Sequence, residues 1–167
     1  LLYPSEPLSA VEFVLFYAND RPHPAQTLDD LRGLTVGTSP GYLYGEAFSE
    51  SSLFDREPAP SHEANFGKLS LGRIDLVITD RRVGQHVIKA MGLEGKVSQA
   101  PLVVSRQPQF LAVRRGAGMD LLVQRFAAEL KRFKQEPAYA ALSAKYGGIQ
   151  ANTAPEHTVE QQESGAP

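Results

Sequence analysis

Two short apolar runs constrain this chain more than any other feature, because each stops at a polar turn and hands over to a helix. They are Leu34-Thr35-Val36-Gly37-Thr38-Ser39-Pro40-Gly41-Tyr42 and Ile74-Asp75-Leu76-Val77-Ile78-Thr79-Asp80. In an open α/β sheet the carboxyl ends of such strands line one crevice, and ligands bind there. The first end offers backbone N–H groups at an expected helix start, the second a carboxylate. That pairing suits a small zwitterion better than a phosphate, a metal or a nucleic acid.

The surrounding elements follow from periodicity and punctuation. Residues 11–18, rich in β-branched and aromatic side chains, read as a strand. Thr27 to Gly33 reads as one helical turn, with Thr27 as cap, Asp29 and Asp30 at its positive end and Gly33 closing it. The strand 34–38 leads to an expected helix from Tyr42 to Ser49, then a loop over 50–60 that holds Pro58 and Pro60. Ser61 caps a helix running to Leu71, with Gly72 beyond it, and the strand 74–79 follows. Val83, Val87 and Met91 recur at i, i+4, i+8 in a helix that stops at Gly92. Residues 97–104 are expected to be extended but broken by Pro101, and Phe110 to Arg114 to form a separate strand. Two helices follow: one carries Leu122, Phe126, Leu130 and Phe133 on one face, the other opens at Pro137, carries Tyr139, Leu142 and Tyr146, and ends at Gly147. Residues 148–167 have hardly any large apolar side chain and read as a disordered tail or linker. Alternating strands and helices between 34 and 104 imply a parallel or mixed sheet flanked by helices.

Composition removes several function classes. The 17 basic and 19 acidic residues give a net charge of -2 with no basic block, which argues against nucleic acid as a partner. Cysteine is absent, so disulfides, thiol nucleophiles and thiolate metal sites are excluded. No run reaches the length of a membrane-spanning helix, and Leu1-Leu2-Tyr3-Pro4 does not resemble a signal peptide, so the chain reads as processed or as a fragment. His62 and His86 lie on different expected helices without an i, i+4 partner and read as surface histidines, so neither a metal nor any cofactor is expected.

The two strand ends hold the candidate ligand-binding residues. Gly37-Thr38-Ser39-Pro40-Gly41 fits the G-x-S-x-G pattern of a nucleophile elbow, but that chemistry needs the N–H of the residue after the serine, and Pro40 has none. The same turn suits an anion. Gly41 lets the backbone approach a ligand, the N–H groups of Tyr42, Leu43 and Tyr44 are available at a helix start, and Ser39 and Tyr42 add hydroxyls. Asp80 is an N-cap of the next helix, and its second oxygen is free to accept from a ligand ammonium. Arg81 either holds Asp80 ionised or supplies a cation for a ligand carboxylate. The expected ligand-binding set is therefore Ser39, Gly41, Tyr42, Asp80 and Arg81, with no catalytic residue.

The ordered set of segments resembles the bacterial extracellular solute-binding proteins of the amino-acid type (family 3), receptors of ABC importers. The resemblance is carried by Thr27-Leu28-Asp29-Asp30-Leu31-Arg32-Gly33-Leu34-Thr35-Val36-Gly37, by Leu69 to Asp80, by Phe110 to Gly116 and by the helix from Tyr139 to Tyr146, and runs from about Glu6 to Gly147. It implies a periplasmic-binding-protein-like α/β fold: one complete three-layer lobe plus the C-terminal return to an incomplete first lobe. Residues 1–18 would cross into lobe two, 19–104 would form it, and 105–147 would return to lobe one ahead of the tail. The resemblance further implies that the turn at Gly41 and Tyr42 binds a ligand carboxylate and Asp80 its α-amino group. The implied protein is a non-enzymatic periplasmic receptor, its signal peptide removed, which closes its lobes on an amino acid or related solute and delivers it to an ABC permease. A sensor module of a signalling protein is the alternative, and a dehydratase on the same fold a more distant one. Tyr42 stands where the family has a small hydroxyl residue, and the uncovered lobe-one helices imply self-association.

Overall fold

The computed structural model describes residues 1–145. Tyr146, Gly147 and the expected tail over 148–167 lie outside the described residues. The strands are β1 (Ser9–Ala18), β2 (Thr35–Thr38), β3 (Asp55–Pro58), β4 (Leu76–Asp80) and β5 (Val97–Gln109). The helices are α1 (Glu46–Glu50), α2 (His62–Ser70), α3 (Arg81–Ala90), α4 (Asp120–Phe133) and α5 (Pro137–Lys145), and Leu28–Leu31 forms a 3-10 turn.

One five-stranded mixed sheet has the order β3-β2-β4-β1-β5. β2 runs parallel to β3 and β4, whereas β1 runs antiparallel to β4 and β5. Alternation along β1 feeds two cores. Phe13 and Leu15 join Val36, Leu76 and Ile78 beneath Leu31, Phe48 and Phe54 on one face. Val14 and Phe16 join Val77, Phe66, Leu69 and Val87 beneath α2 and α3 on the other. Each fully buried Phe or Leu contributes about 1.5–3 kcal/mol, which is why three layers form around so short a sheet.

Local chemistry explains where the elements start and stop. The Asp30 carboxylate accepts the N–H groups of Gln26 and Thr27, both at 2.9 Å, and these bonds hold its pKa below the usual value. Ser61 caps α2 by accepting the N–H of Ala64 at 3.1 Å. Gly72 and Gly92 follow α2 and α3 with φ of 68° and 64°, the left-handed conformation that ends a helix.

Four expectations are corrected. The helix expected from Tyr42 to Ser49 begins only at Glu46, because Tyr44 is drawn into the core and Gly45 turns with φ 105°. The loop expected over 50–60 contains β3, a polar edge strand whose Asp55-Arg56-Glu57-Pro58 lacks an apolar signature. Pro101 does not break β5. It lies on an edge strand beside a register shift opposite Leu15, where Leu102 donates to Ala25 across the edge instead. Residues 110–114 form no strand of their own, only the isolated bridge of Leu2 with Val113.

β1 and β5 continue past β4 as a two-stranded ribbon, pairing Ser9 with Gln109 through Glu12 with Arg106. Beyond it, α4 buries Val123 and Ala127 rather than the expected Leu122, which is 59% exposed. Phe133 meets Tyr139 edge to face at 5.6 Å, joining α4 to α5. Lys134 reaches back to Glu6 at 2.6 Å and ties α4 to the N-terminal segment.

Candidate functional site

β2 and β4 are neighbouring parallel strands in the register Val36 with Leu76 and Gly37 with Val77. Their carboxyl ends, Thr38 and Asp80, therefore reach the same edge of the sheet on strands about 4.8 Å apart. The close fit of β2 depends on Gly37. A Cβ there would lie 2.5 Å from Ile74 Cδ1 and 2.7 Å from Asn65 Oδ1. Fully buried Asn65 uses its Nδ2 to donate to the Thr38 carbonyl at 2.9 Å, fastening the end of β2 to α2.

Past Thr38 the chain turns through Ser39, Pro40 and Gly41, with φ of 79° at Gly41, a conformation glycine adopts without strain. The amides of Tyr42, Leu43 and Tyr44 are not at a helix start, as the sequence had suggested, since α1 lies further on and is five residues long. An extended loop stands there instead. Tyr44 pins it: its hydroxyl accepts the Ser39 N–H at 2.8 Å, and its carbonyl accepts from Ser105 Oγ at 2.7 Å. Burial pushes the Tyr44 phenol above its usual pKa, against the lowering effect of its Ser39 bonds. Tyr42 remains 44% exposed, stacked on Tyr44 at 6.0 Å and edge to face with Phe13 at 6.2 Å.

Asp80 stands directly opposite Phe13 across the β4–β1 pair, so both side chains leave the sheet on the same face. One carboxylate oxygen caps α3, accepting the N–H groups of Arg82 at 2.8 Å and Val83 at 3.2 Å. The other oxygen is buried without a hydrogen-bond partner, and the residue as a whole is only 7% exposed. A buried acceptor left unpaired costs about 1–3 kcal/mol, and such a group is a ready receiver for a donor brought by a ligand.

The arginine beside it does not take the expected place. Arg81 pairs with Glu12 of β1 at 2.9 Å, and Glu12 also holds Arg106 of β5. It is Arg82 that lies against Asp80, at 3.5 Å. The Glu12 network braces the root of the ribbon and leaves Arg81 committed.

His62 is the residue that sequence reasoning missed. Read as a surface histidine, it is half-buried at the first position of α2, between the two strand ends. Its Nδ1 lies 3.4 Å from both Ser39 Oγ and Thr79 Oγ1, and its Nε2 lies 3.4 Å from the Tyr42 hydroxyl. The only sequence signal was its place just after the Ser61 cap, because its contacts come from two other segments, the turn at Ser39 to Tyr42 and the end of β4. Among the described residues, no group of three or more His, Asp or Glu side chains is placed to hold a metal ion, and no helix is long and apolar enough to cross a membrane.

No protein-family model matches this sequence, and no curated protein matches it. Solved structures do. A histidine kinase sensor domain with similarity to periplasmic binding proteins superposes with TM-score 0.67 at 25% identity, covering 87% of this chain and 63% of its own. The P235GK mutant of ArgBP from T. maritima gives TM-score 0.65 at 20% identity, over 87% of this chain and 61% of its own. The GluR0 ligand-binding core in complex with L-glutamate gives TM-score 0.70 at 12% identity, over 87% and 63%. The chain thus has the fold of the periplasmic binding proteins and spans about three fifths of the length of these structures. Its neighbours are binding proteins and a sensor domain, as the resemblance in sequence implied.

Proposed function

We propose that this chain carries the ligand-binding lobe of a non-enzymatic receptor for an amino acid or related small polar solute. Residues 19–104 form that lobe, 1–18 lead into it, and 105–145 return toward a first lobe that completes the receptor. The ligand lies at the shared edge of β2 and β4. Its ammonium bonds to Asp80, its carboxylate meets the turn at Ser39 and Gly41, and Tyr42 covers it with ring and hydroxyl. The observation that carries this reading is the second oxygen of Asp80, buried and without a hydrogen-bond partner at the end of β4, the strand next to β2. Charge-assisted hydrogen bonds of about 1.5–3 kcal/mol each, on both poles of the zwitterion, fall short of the roughly 8 kcal/mol of micromolar binding. The remainder comes from closure of the first lobe over the ligand. In this reading the receptor works in the periplasm and delivers its solute to an ABC permease.

A second output is favoured by one observation: the similar structure at 25% identity is the sensor domain of a histidine kinase. The same closure would then signal rather than deliver. A thermal-shift screen of the standard amino acids and common polyamines tests the shared claim. A stabilising amino acid whose effect disappears in Asp80→Ala supports it, and a panel without any stabilising compound contradicts it. Once a ligand is found, genomic linkage to a permease or a kinase separates the two outputs.

A further inference from the structure

The proposed site has a negative pole in Asp80 but no committed positive one. Arg81 is engaged by Glu12, and Arg82 lies against Asp80. Among the described residues at the two strand ends, His62 is the one group able to carry a positive charge outside an ion pair. Its position is enforced rather than incidental. Ser61 fixes the start of α2, Asn65 locks that helix to Thr38, and the imidazole then falls among the hydroxyls of Ser39, Thr79 and Tyr42. All three approaches are 3.4 Å, long for hydrogen bonds to a ring nitrogen, so no strong bond commits either nitrogen.

We propose that His62 is a specificity-determining residue of this crevice, receiving the carboxylate of the ligand as an imidazolium and thereby coupling binding to uptake of one proton. The inference rests on the reading that the crevice takes an amino-acid-like zwitterion. The hydroxyls of Ser39 and Tyr42 turn to donate to the same carboxylate, and Asp80 keeps the ammonium. The amide N–H groups at the start of α2 favour negative charge nearby and so add to the reception of a carboxylate. A bound carboxylate raises the affinity of the ring for a proton. Binding is therefore strongest below the pKa of His62 in the free protein. The advantage is lost as pH rises through the higher value that His62 has in the complex.

The other ionisable groups around His62 enter the same equilibrium. Tyr42 faces it from the loop after β2, and Asp80 follows Thr79 on β4. Glu63 is its neighbour on α2, kept ionised by its own backbone N–H first and by Ser61 second. His86 of α3 also acts on Glu63, and Glu12 of β1 is turned to Arg81 and Arg106. Histidine is the side chain type whose charge ordinarily changes between pH about 5 and 8, so His86→Gln serves as the control.

The test follows the His62 ring resonances by NMR in the full chain during titration with acetate against chloride at equal ionic strength. It then compares calorimetric affinities for an amino acid from the stability screen at pH about 5.5 and about 8. The inference expects acetate to raise the His62 midpoint, and affinity to be about tenfold tighter at the lower pH. It expects that dependence to be flattened by His62→Gln and retained in His86→Gln. A His62 midpoint indifferent to acetate, or an amino-acid affinity unchanged in His62→Gln, overturns the inference while leaving the Asp80 reading standing. If no amino acid binds, the Asp80 reading fails separately, and the acetate titration still decides whether His62 receives a carboxylate.

Discussion

The Tyr44 hydroxyl accepts the backbone N–H of Ser39 at 2.8 Å, so a side chain anchored in the core sets the shape of the turn five residues before it. Tyr44→Phe keeps the ring packing on Phe13 and Phe48 but leaves that N–H without its partner. Urea unfolding is expected to show a loss of about 0.5–1.5 kcal/mol. The same residue gives the protein an alkaline limit. Its pKa is raised in the fold by burial, so the folded state holds the proton that an unfolded tyrosine gives up near pH 10. The stabilisation is fully present below about pH 10 and disappears as pH rises through the folded value. Melting temperature is expected to fall more steeply above that pH in the wild type than in Tyr44→Phe.

Asp80 has two tasks that substitution separates. Asparagine remains a good N-cap, whereas alanine removes the acceptor for the N–H groups of Arg82 and Val83. Asp80→Ala is expected to cost about 1 kcal/mol more than Asp80→Asn in denaturant unfolding. Equal stabilities in the two variants would show that the cap contributes nothing.

Gly37 tests how tightly the site is fastened to the layer beneath it. A methyl group there meets Ile74 and Asn65 well inside van der Waals distance, and Asn65 is the clamp that holds Thr38 to α2. Gly37→Ala is expected to destabilise by about 1–3 kcal/mol, although alanine is ordinarily easier than glycine to order in a strand. The shift should also spread to the His62 and Thr79 amides in an NMR spectrum. A melting temperature equal to wild type would contradict the packing described.

Much of this architecture is legible in the sequence because local signals agree with the tertiary result. Residues 11–18 are rich in β-branched and aromatic side chains, Ser61 and Gly72 bracket α2, and Asp80 caps α3 as its position before Arg81-Arg82 suggests. What escapes is set by contacts distant in sequence. Nothing near Tyr44 says that its ring sinks between Phe13 and Phe48, which delays α1 to Glu46. β3 is a strand because β2 lies beside it, not because Asp55-Arg56-Glu57-Pro58 favours one. Arg81 looks like a partner for Asp80 until β1 brings Glu12 within reach. His62 is drawn into the site by Ser39, Tyr42 and Thr79, none of them its neighbour in sequence.

The surface beyond the ribbon carries its own consequence. Met119, Leu121, Leu122 and Leu142 on and before α4 and α5 are 42%, 59%, 59% and 41% exposed, a density of apolar groups that invites association. The chain is expected to self-associate reversibly in sedimentation velocity, and Leu122→Glu to shift it toward monomer. A wild-type chain that stays monomeric at the highest soluble concentration would show that this surface is inert.

The most direct test of the account is calorimetric titration of the wild type and Asp80→Asn with an amino acid from the stability screen, at matched pH and salt. The account predicts saturable binding to the wild type and at least a tenfold loss in Asp80→Asn, about 1.4 kcal/mol, with the melting temperature preserved by the intact cap. An affinity unchanged in Asp80→Asn would contradict it, because the ligand would then be held without the one buried carboxylate oxygen left free among the described residues.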